Sequence, residues 1–258
     1  MRIVSRALFI SALAATLLSL PSAAAMADTL IGTAASERLD GTPSPDQIYG
    51  EVGDDVLLGF GGNDYIEAGP GNDDIDGGGG LDLAIGGTGD DEVDGGVGDD
   101  VVYAGPGNDL VLGGQGADTL FGQDGSDRLF GGSGPDRVYA SLGEDYVEAG
   151  SGDDTIYADG VGIRILAGGG DDTVSASGGP TIVEGGGGSD RIRTGAGSDR
   201  VSGGSGADSI VTGAGDDRVE ALDGRRDRVN CGRGKNDSVT SDGFDILIGC
   251  EHRTHTAS

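Results

Sequence analysis

The sequence predicts an all-β fold: a right-handed parallel β-roll, or solenoid, with two short-stranded parallel sheets and ~18 residues per coil. Three observations carry it. A nine-residue period runs from Gly32 to Glu220 without insertion or deletion; each period holds one branched aliphatic at a fixed place; and glycine supplies 55 of 258 residues, against a usual share of ~7%. Large side chains are too scarce for an ordinary core, with no Trp, five Phe and six Tyr. A basic nucleic-acid surface is excluded as well, because 16 basic residues face 45 acidic ones for a formal charge of −29.

The first element is a processing segment. Arg2 and Arg6 give a short basic start, Ala7 to Leu20 is apolar, and Pro21 breaks the run before Ala25-Met26-Ala27. The run is short of the ~20 residues that a spanning helix needs, so residues 1–27 are expected to be a signal peptide cleaved after Ala27.

The repeat region follows, expected over residues 28–220. Typical blocks read GEVGDDVLL from Gly50, GGTGDDEVD from Gly86, GGQGADTLF from Gly113 and GGSGADSIV from Gly203. Position four is almost always Gly, position six almost always Asp, and position eight an aliphatic at every block except Ala84. Six residues rich in Gly and Asp make a turn, since Gly takes up the positive φ that other residues resist. Three residues then make a short strand whose middle side chain points to one face. One aliphatic per block cannot bury itself alone, but stacked coils give it neighbours above, below and opposite. Two blocks close a coil. About 21 blocks make about 10.5 coils and, at ~4.8 Å each, a rod roughly 50 Å long.

Position six supplies the candidate metal ligands. Blocks two apart stack on the same edge. One edge carries Asp46, Asp64, Asp82, Asp100, Asp118, Asp136, Asp154, Asp172, Asp190 and Asp208 in an unbroken column. The other carries Asp55, Asp73, Asp91, Asp109, Asp127 and Asp145, then Ile163 and Thr181, then Asp199 and Asp217. Carboxylates ~4.8 Å apart repel unless a cation lies between them. Ca²⁺ suits such gaps, since it takes six to eight carboxylate and carbonyl oxygens in flexible geometry, whereas Zn²⁺ wants the Cys and His that are rare here. One carboxylate from each side of a gap gives about 15 Ca²⁺ ions. Ile165 and Val183 keep the core position filled in the two blocks without Asp, so the coil is expected to continue through residues 158–184 without metal on that edge.

The consensus GGxGxDxUx, nearly unaltered over residues 50–157 and 185–220, resembles the RTX, or hemolysin-type, calcium-binding repeat. The resemblance implies a parallel β-roll with Ca²⁺ between turns stacked on one edge, held by the position-six carboxylates and by carbonyls of the Gly-rich turns. Other motif matches come from glycine abundance. No Gly-x-Gly-x-x-Gly opens a helix, and the EF-hand-like stretch at Asp90 has Val101 where a Glu is needed. No HExxH occurs.

After Glu220 the spacing slips, and residues 221–258 are expected to be degenerate repeats, a disulfide-stapled cap and a polar tail in which His252 and His255 fray. Cys231 and Cys250 are the only cysteines, and an exported pair most simply forms one disulfide.

These features predict an exported, calcium-dependent binding or scaffolding module without catalysis, extracellular in location, that folds as it meets Ca²⁺ outside the cytoplasm. A polysaccharide-acting enzyme of lyase or epimerase type on a parallel β-helix is the alternative, and an ice-binding roll is disfavoured because position three shows no Thr array. For a glycan or protein partner the candidate is an outward strip at position nine, Tyr103, Phe121, Tyr139 and Tyr157, each two blocks from the next, with a self-stacking ladder as the competing explanation.

Overall fold

The computed structural model describes residues 27–255. The expected signal peptide lies almost wholly outside the described residues. Twenty-six short strands, β1 (Thr29–Ile31) to β26 (His252–His255), alternate between two 13-stranded sheets. Odd-numbered strands pair only with odd ones and even with even, always in parallel, so the chain winds as a parallel β-solenoid with no helix among the described residues. The register follows from the period: β8 (Glu92–Val97), β10 (Leu110–Gln115) and β12 (Arg128–Ser133) align Val93, Val111 and Leu129.

Position eight forms the core. From Ile48 to Val239 its aliphatics are almost fully buried in one continuous stack. Positions seven and nine point outward on either side of it, which is the alternation that a three-residue strand imposes. Position one closes the core at each corner with small residues such as Ala68, Ala104, Ala140 and Thr212.

Glycine at position four is required by the stacking. Gly98 has φ +138°, and a Cβ there would sit within the carbonyl of Gly80 in the coil before it. Position two also turns through positive φ but tolerates side chains, as Glu51, Phe60 and Gln123 show at φ 80°, 68° and 74°.

The coil passes through the defective blocks. β16 (Arg164–Gly169) pairs with β14 (Tyr146–Ser151) and with β18 (Ile182–Gly187) at the unchanged two-block offset. Nor does it stop at Glu220. β23 (Arg228–Asn230), β24 (Ser238–Ser241) and β25 (Ile246–Ile248) continue the two sheets. The offset grows by one residue at β23 and by two at β24, then returns to two blocks at β25. The slipped spacing is absorbed in turns, while the strands keep their places.

The frayed tail expected at His252 and His255 is corrected. These residues form the last strand, paired with Ser238–Ser241, and His255 Nδ1 lies 3.0 Å from Ser241 Oγ. Main-chain pairing to an open sheet edge outweighs the polarity of the segment. Cys231 and Cys250 form the disulfide, joining the turns after β23 and β25.

Candidate metal centre

Position six ends each turn one residue before its strand, which tucks the carboxylate beneath the coil instead of into solvent. All eighteen expected aspartates are buried, none more than 3% exposed. Their hydrogen bonding is systematic. The Asp46 N–H donates to Asp64 Oδ1 at 2.7 Å, Asp64 to Asp82 at 2.8 Å, and Asp118 to Asp136 at 2.8 Å. On the opposite edge Asp55 donates to Asp73 at 2.7 Å and Asp109 to Asp127 at 3.0 Å. One oxygen of each carboxylate therefore completes the preceding coil.

The other oxygen has no partner. Nineteen aspartate Oδ2 atoms are buried without a hydrogen bond, seventeen from the expected set plus Asp227 and Asp237. Asp46 is the exception, because Thr42 donates to its Oδ2 from N–H at 2.6 Å and from Oγ at 2.9 Å. A buried unpaired carboxylate oxygen is costly, and a column of them is more so. Burial accordingly pushes Asp64, Asp82 and Asp118 up to about 6 and Asp91, Asp100 and Asp136 up to about 7. The backbone N–H to each carboxylate opposes that rise without cancelling it, and neighbouring carboxylates add to it at Asp91 and Asp100.

Oxygen atoms gather where glycine leaves room. A Cβ on Gly86 would lie 2.6 Å from Asp91 Oδ2 and 2.6 Å from the carbonyl of Ala104 in the next coil. The same pair of oxygens recurs around Gly113, at 2.7 Å from Asp118 Oδ2 and 2.6 Å from the Gly131 carbonyl, and around Gly95 with Asp100 and Gly113. No three His, Cys, Asp or Glu side chains converge on a point among the described residues. A cation here would be held by one carboxylate per coil together with main-chain carbonyls. Hard oxygen donors without nitrogen or sulfur fit Ca²⁺.

The sequence matches the family described as RTX calcium-binding nonapeptide repeat (4 copies), over residues 31–59, 53–84, 76–111, 85–120, 104–138, 121–156, 164–183 and 184–224. The chain belongs to that family. It is an RTX calcium-binding repeat protein, and its β-roll is a calcium-binding structural module. No curated protein matches the sequence. The RTX matches break at residues 157–163, immediately before the first strand of the defective region.

There the two edges differ. Ile163 is 1% exposed and occupies the place of a carboxylate with hydrocarbon. Thr181 is equally buried; its Oγ1 donates to the Gly179 carbonyl at 3.1 Å, and its N–H still reaches Asp199 Oδ1 at 2.8 Å. The facing edge keeps its column, with Asp154 donating to Asp172 and Asp172 to Asp190.

Three ligand-type aspartates lie beyond the regular period. Asp227 Oδ1 accepts from Asp208 N–H, Asp245 Oδ1 from Asp227 N–H, and Asp237 Oδ1 from Asp217 N–H. The local signal was available: each is followed by a strand with the same aliphatic centre, as in Asp227-Arg228-Val229-Asn230. Only a fixed nine-residue frame hides them.

A second, outer ladder forms at position five. Asn72 N–H donates to Asp54 Oδ1, Asp90 to Asn72, Asn108 to Asp90 and Ser126 to Asn108, all within 3.1 Å. Alternating Asp with Asn keeps these exposed carboxylates two coils apart. The aromatic strip stacks as well: ring centroids are 4.6 Å apart for Tyr103 and Phe121, 4.7 Å for Phe121 and Tyr139, and 5.2 Å for Tyr139 and Tyr157, with planes within 15°.

Proposed function

We propose that this RTX protein is exported unfolded, with residues 1–27 as its signal peptide, and folds as Ca²⁺ fills the position-six columns outside the cytoplasm. In this reading it is a secreted structural, adhesive or matrix module without catalysis. The observation that carries the reading is the set of nineteen buried, unpartnered Oδ2 atoms. They are what a row of divalent cations would neutralise. About 15 ions fill the columns traced by the regular period, and Asp227, Asp237 and Asp245 add three gaps. About +30 of bound charge offsets most of the −31 that remains after cleavage. Extracellular modules bind Ca²⁺ at ~10⁻⁴–10⁻³ M, far above cytosolic levels, so the chain stays unfolded before export.

The test is a calcium titration of residues 28–258 followed by circular dichroism. Strand signal should rise cooperatively in the millimolar range, with no such rise for Mg²⁺. Full strand content in a chelator at pH 7.5 would sink the reading. Adhesion, if it occurs at the aromatic strip, does not use ring faces along its length, because each inner ring is covered by its neighbours. Tyr157, 44% exposed with Ser175 as its next register partner, offers the one open face and is the place for a glycan ring. Tyr157→Ser should abolish binding in a glycan or surface-adhesion assay and leave the calcium titration unchanged.

A further inference from the structure

The two outward faces of the roll differ in charge. On the even sheet exposed acids recur along most of the length, from Asp40 through Asp74, Glu92, Glu148 and Glu184 to Glu220. On the odd sheet, positions seven and nine hold one acid, Glu67 in β5 (Tyr65–Pro70), and its Oε2 accepts from Tyr65 Oη at 2.7 Å. From β7 (Leu83–Thr88) to β25, ten strands and ~43 Å along the rod, no outward residue of the odd sheet is acidic. The chain has 45 acidic and 16 basic residues, so this face is free of the charge that dominates the rest.

What the odd face presents changes along the rod. The aromatic ladder ends at Tyr157 in β15 (Thr155–Ala158). β17 (Thr173–Ala176) follows with two hydroxyls, Thr173 and Ser175. β19 (Arg191–Arg193) then turns Arg191 and Arg193 outward. Arg228 stands in the row of Arg191 two strands on, with Ser209 of β21 (Ser209–Val211) between them. All three arginines are exposed, and none is in an ion pair among the described residues, where the two ion pairs are Arg38–Asp40 and Arg164–Glu184.

The flanking turns favour the same end. Position five holds the exposed Asp153 and Asp171 beside β15 and β17, but Ser189 before β19 and Ala207 before β21. Before β23 stand the exposed Arg225 and Arg226, and the nearby Asp223 is engaged on both oxygens by the N–H groups of Gly206 and Arg225, each at 2.7 Å. On the other rim the exposed Asp216 accepts from Asn236 Nδ2 at 3.0 Å, and Asp159 beside Tyr157 accepts from Ser177 Oγ.

We propose that the odd face from Tyr157 to Arg228 binds an acidic polysaccharide lying along the rod. Tyr157 stacks on one sugar ring, and Arg191, Arg193 and Arg228 pair with anionic groups further along the polymer. The proposal rests on the adhesive reading of the strip given above and adds the charge of its partner. Guanidinium forks suit carboxylates and sulfates, which they can grip through two hydrogen bonds at once. The spacing separates this partner from nucleic acid. Arg191 and Arg228 lie ~9.6 Å apart along the rod, whereas duplex DNA carries a charge every ~1.7 Å and calls for a denser basic surface. A polysaccharide spaces its charges by whole sugar units. The contacts are exposed, so binding is salt-dependent.

The test is biolayer interferometry of the folded, calcium-saturated chain on immobilised hyaluronate and dextran sulfate, with neutral dextran as control. The chain should bind at least one charged polymer in 50 mM NaCl, leave it in 0.5 M, and ignore dextran. Arg191→Ser with Arg228→Ser should weaken binding at least fivefold. Arg200→Ser with Arg218→Ser removes the same charge from the even sheet, where these residues are register partners, and should leave binding within twofold. Circular dichroism in calcium must match the parent for each variant, so that the calcium-dependent fold is read separately. Binding to neither charged polymer overturns the proposal, as does equal binding to dextran or equal loss with both arginine pairs. Loss with Tyr157→Ser but not with Arg191→Ser and Arg228→Ser would keep the adhesive reading and overturn the acidic partner. Sedimentation velocity covers the remaining occupant: a dimer at low salt that Arg191→Ser with Arg228→Ser dissociates would assign this face to the acidic even face of a second copy and overturn it too.

Discussion

Between residues 145 and 199 the same three coils show two ways of holding a corner. On the odd edge Asp154, Asp172 and Asp190 keep the carboxylate ladder, each with an oxygen that lacks a partner. On the even edge Ile163 and Thr181 replace it with a packed side chain and a hydroxyl that satisfies itself locally. The strands between the two corners keep the same register. The solenoid is therefore supported twice: by the aliphatic stack and strand pairing, which ask nothing of the solvent, and by the aspartate columns, which need a cation or a proton.

The largest expected effect tests that second need. Burial pushes the Asp64 carboxyl up to about 6 from its ordinary 3.8, and those of Asp91 and Asp172 up to about 7. Their neutral form is favoured by the fold, so without metal their contribution is fully present below pH 3.8 and is lost as the pH rises through about 6–7. In a chelator, strand signal by circular dichroism should be absent at pH 7.5 and return near pH 4. An unfolded chain at both would show that the packed support cannot stand even when the columns are uncharged.

Next in size is the contrast between two glycines. Gly98→Ala puts a Cβ at φ +138° against the Gly80 carbonyl and should cost more than about 3 kcal/mol in calcium. Gly179→Ala, in the defective turn, puts its Cβ 2.8 Å from the exposed Val161 side chain, which can shift toward solvent, and should cost clearly less, about 1–2 kcal/mol by thermal melting.

The two corners should also answer differently to truncation. Ile163→Ala should lower stability by about 2–5 kcal/mol at every saturating calcium concentration, as a cavity does. Asp172→Ala, on the facing edge, should instead move the calcium midpoint upward in a titration and leave fewer ions bound. A calcium midpoint unchanged by Asp172→Ala would show that the odd column does not bind metal there.

Smallest is the staple: closing a loop of ~20 residues contributes up to about 3 kcal/mol through chain entropy. Reduction of Cys231–Cys250 should lower the melting temperature in calcium by several degrees without changing the midpoint of the calcium titration.

Much of the fold was legible because a strict period fixes both neighbour and face at once. Val93, Val111 and Leu129 stack because each stands two blocks from the next. The burial of Asp91 and Asp109 follows from the same count. Spacing alone did not reveal where the chain departs from the count. The coils after Glu220 were obscured because extra turn residues shift the frame without moving the strands, and His252–His255 looked like tail because edge pairing is a tertiary property. Nor could the sequence show that one carboxylate oxygen would be satisfied and the other left over, since that depends on the position of a backbone N–H one coil away.

The alternation of sheets has a consequence for length. Removing two adjacent blocks from within the regular region shortens the rod by one layer and leaves every remaining side chain on its own sheet. Removing the single block 122–130 does not: everything after it changes sides. Ile163 and Thr181 would then interrupt the column that is now unbroken, Tyr139 and Tyr157 would part from Tyr103 and Phe121, and Arg200 and Arg218 would leave the sheet that bears Asp74 and Glu92. Growth or loss by whole coils conserves the pattern on each face, while a half-coil step exchanges the faces of everything downstream.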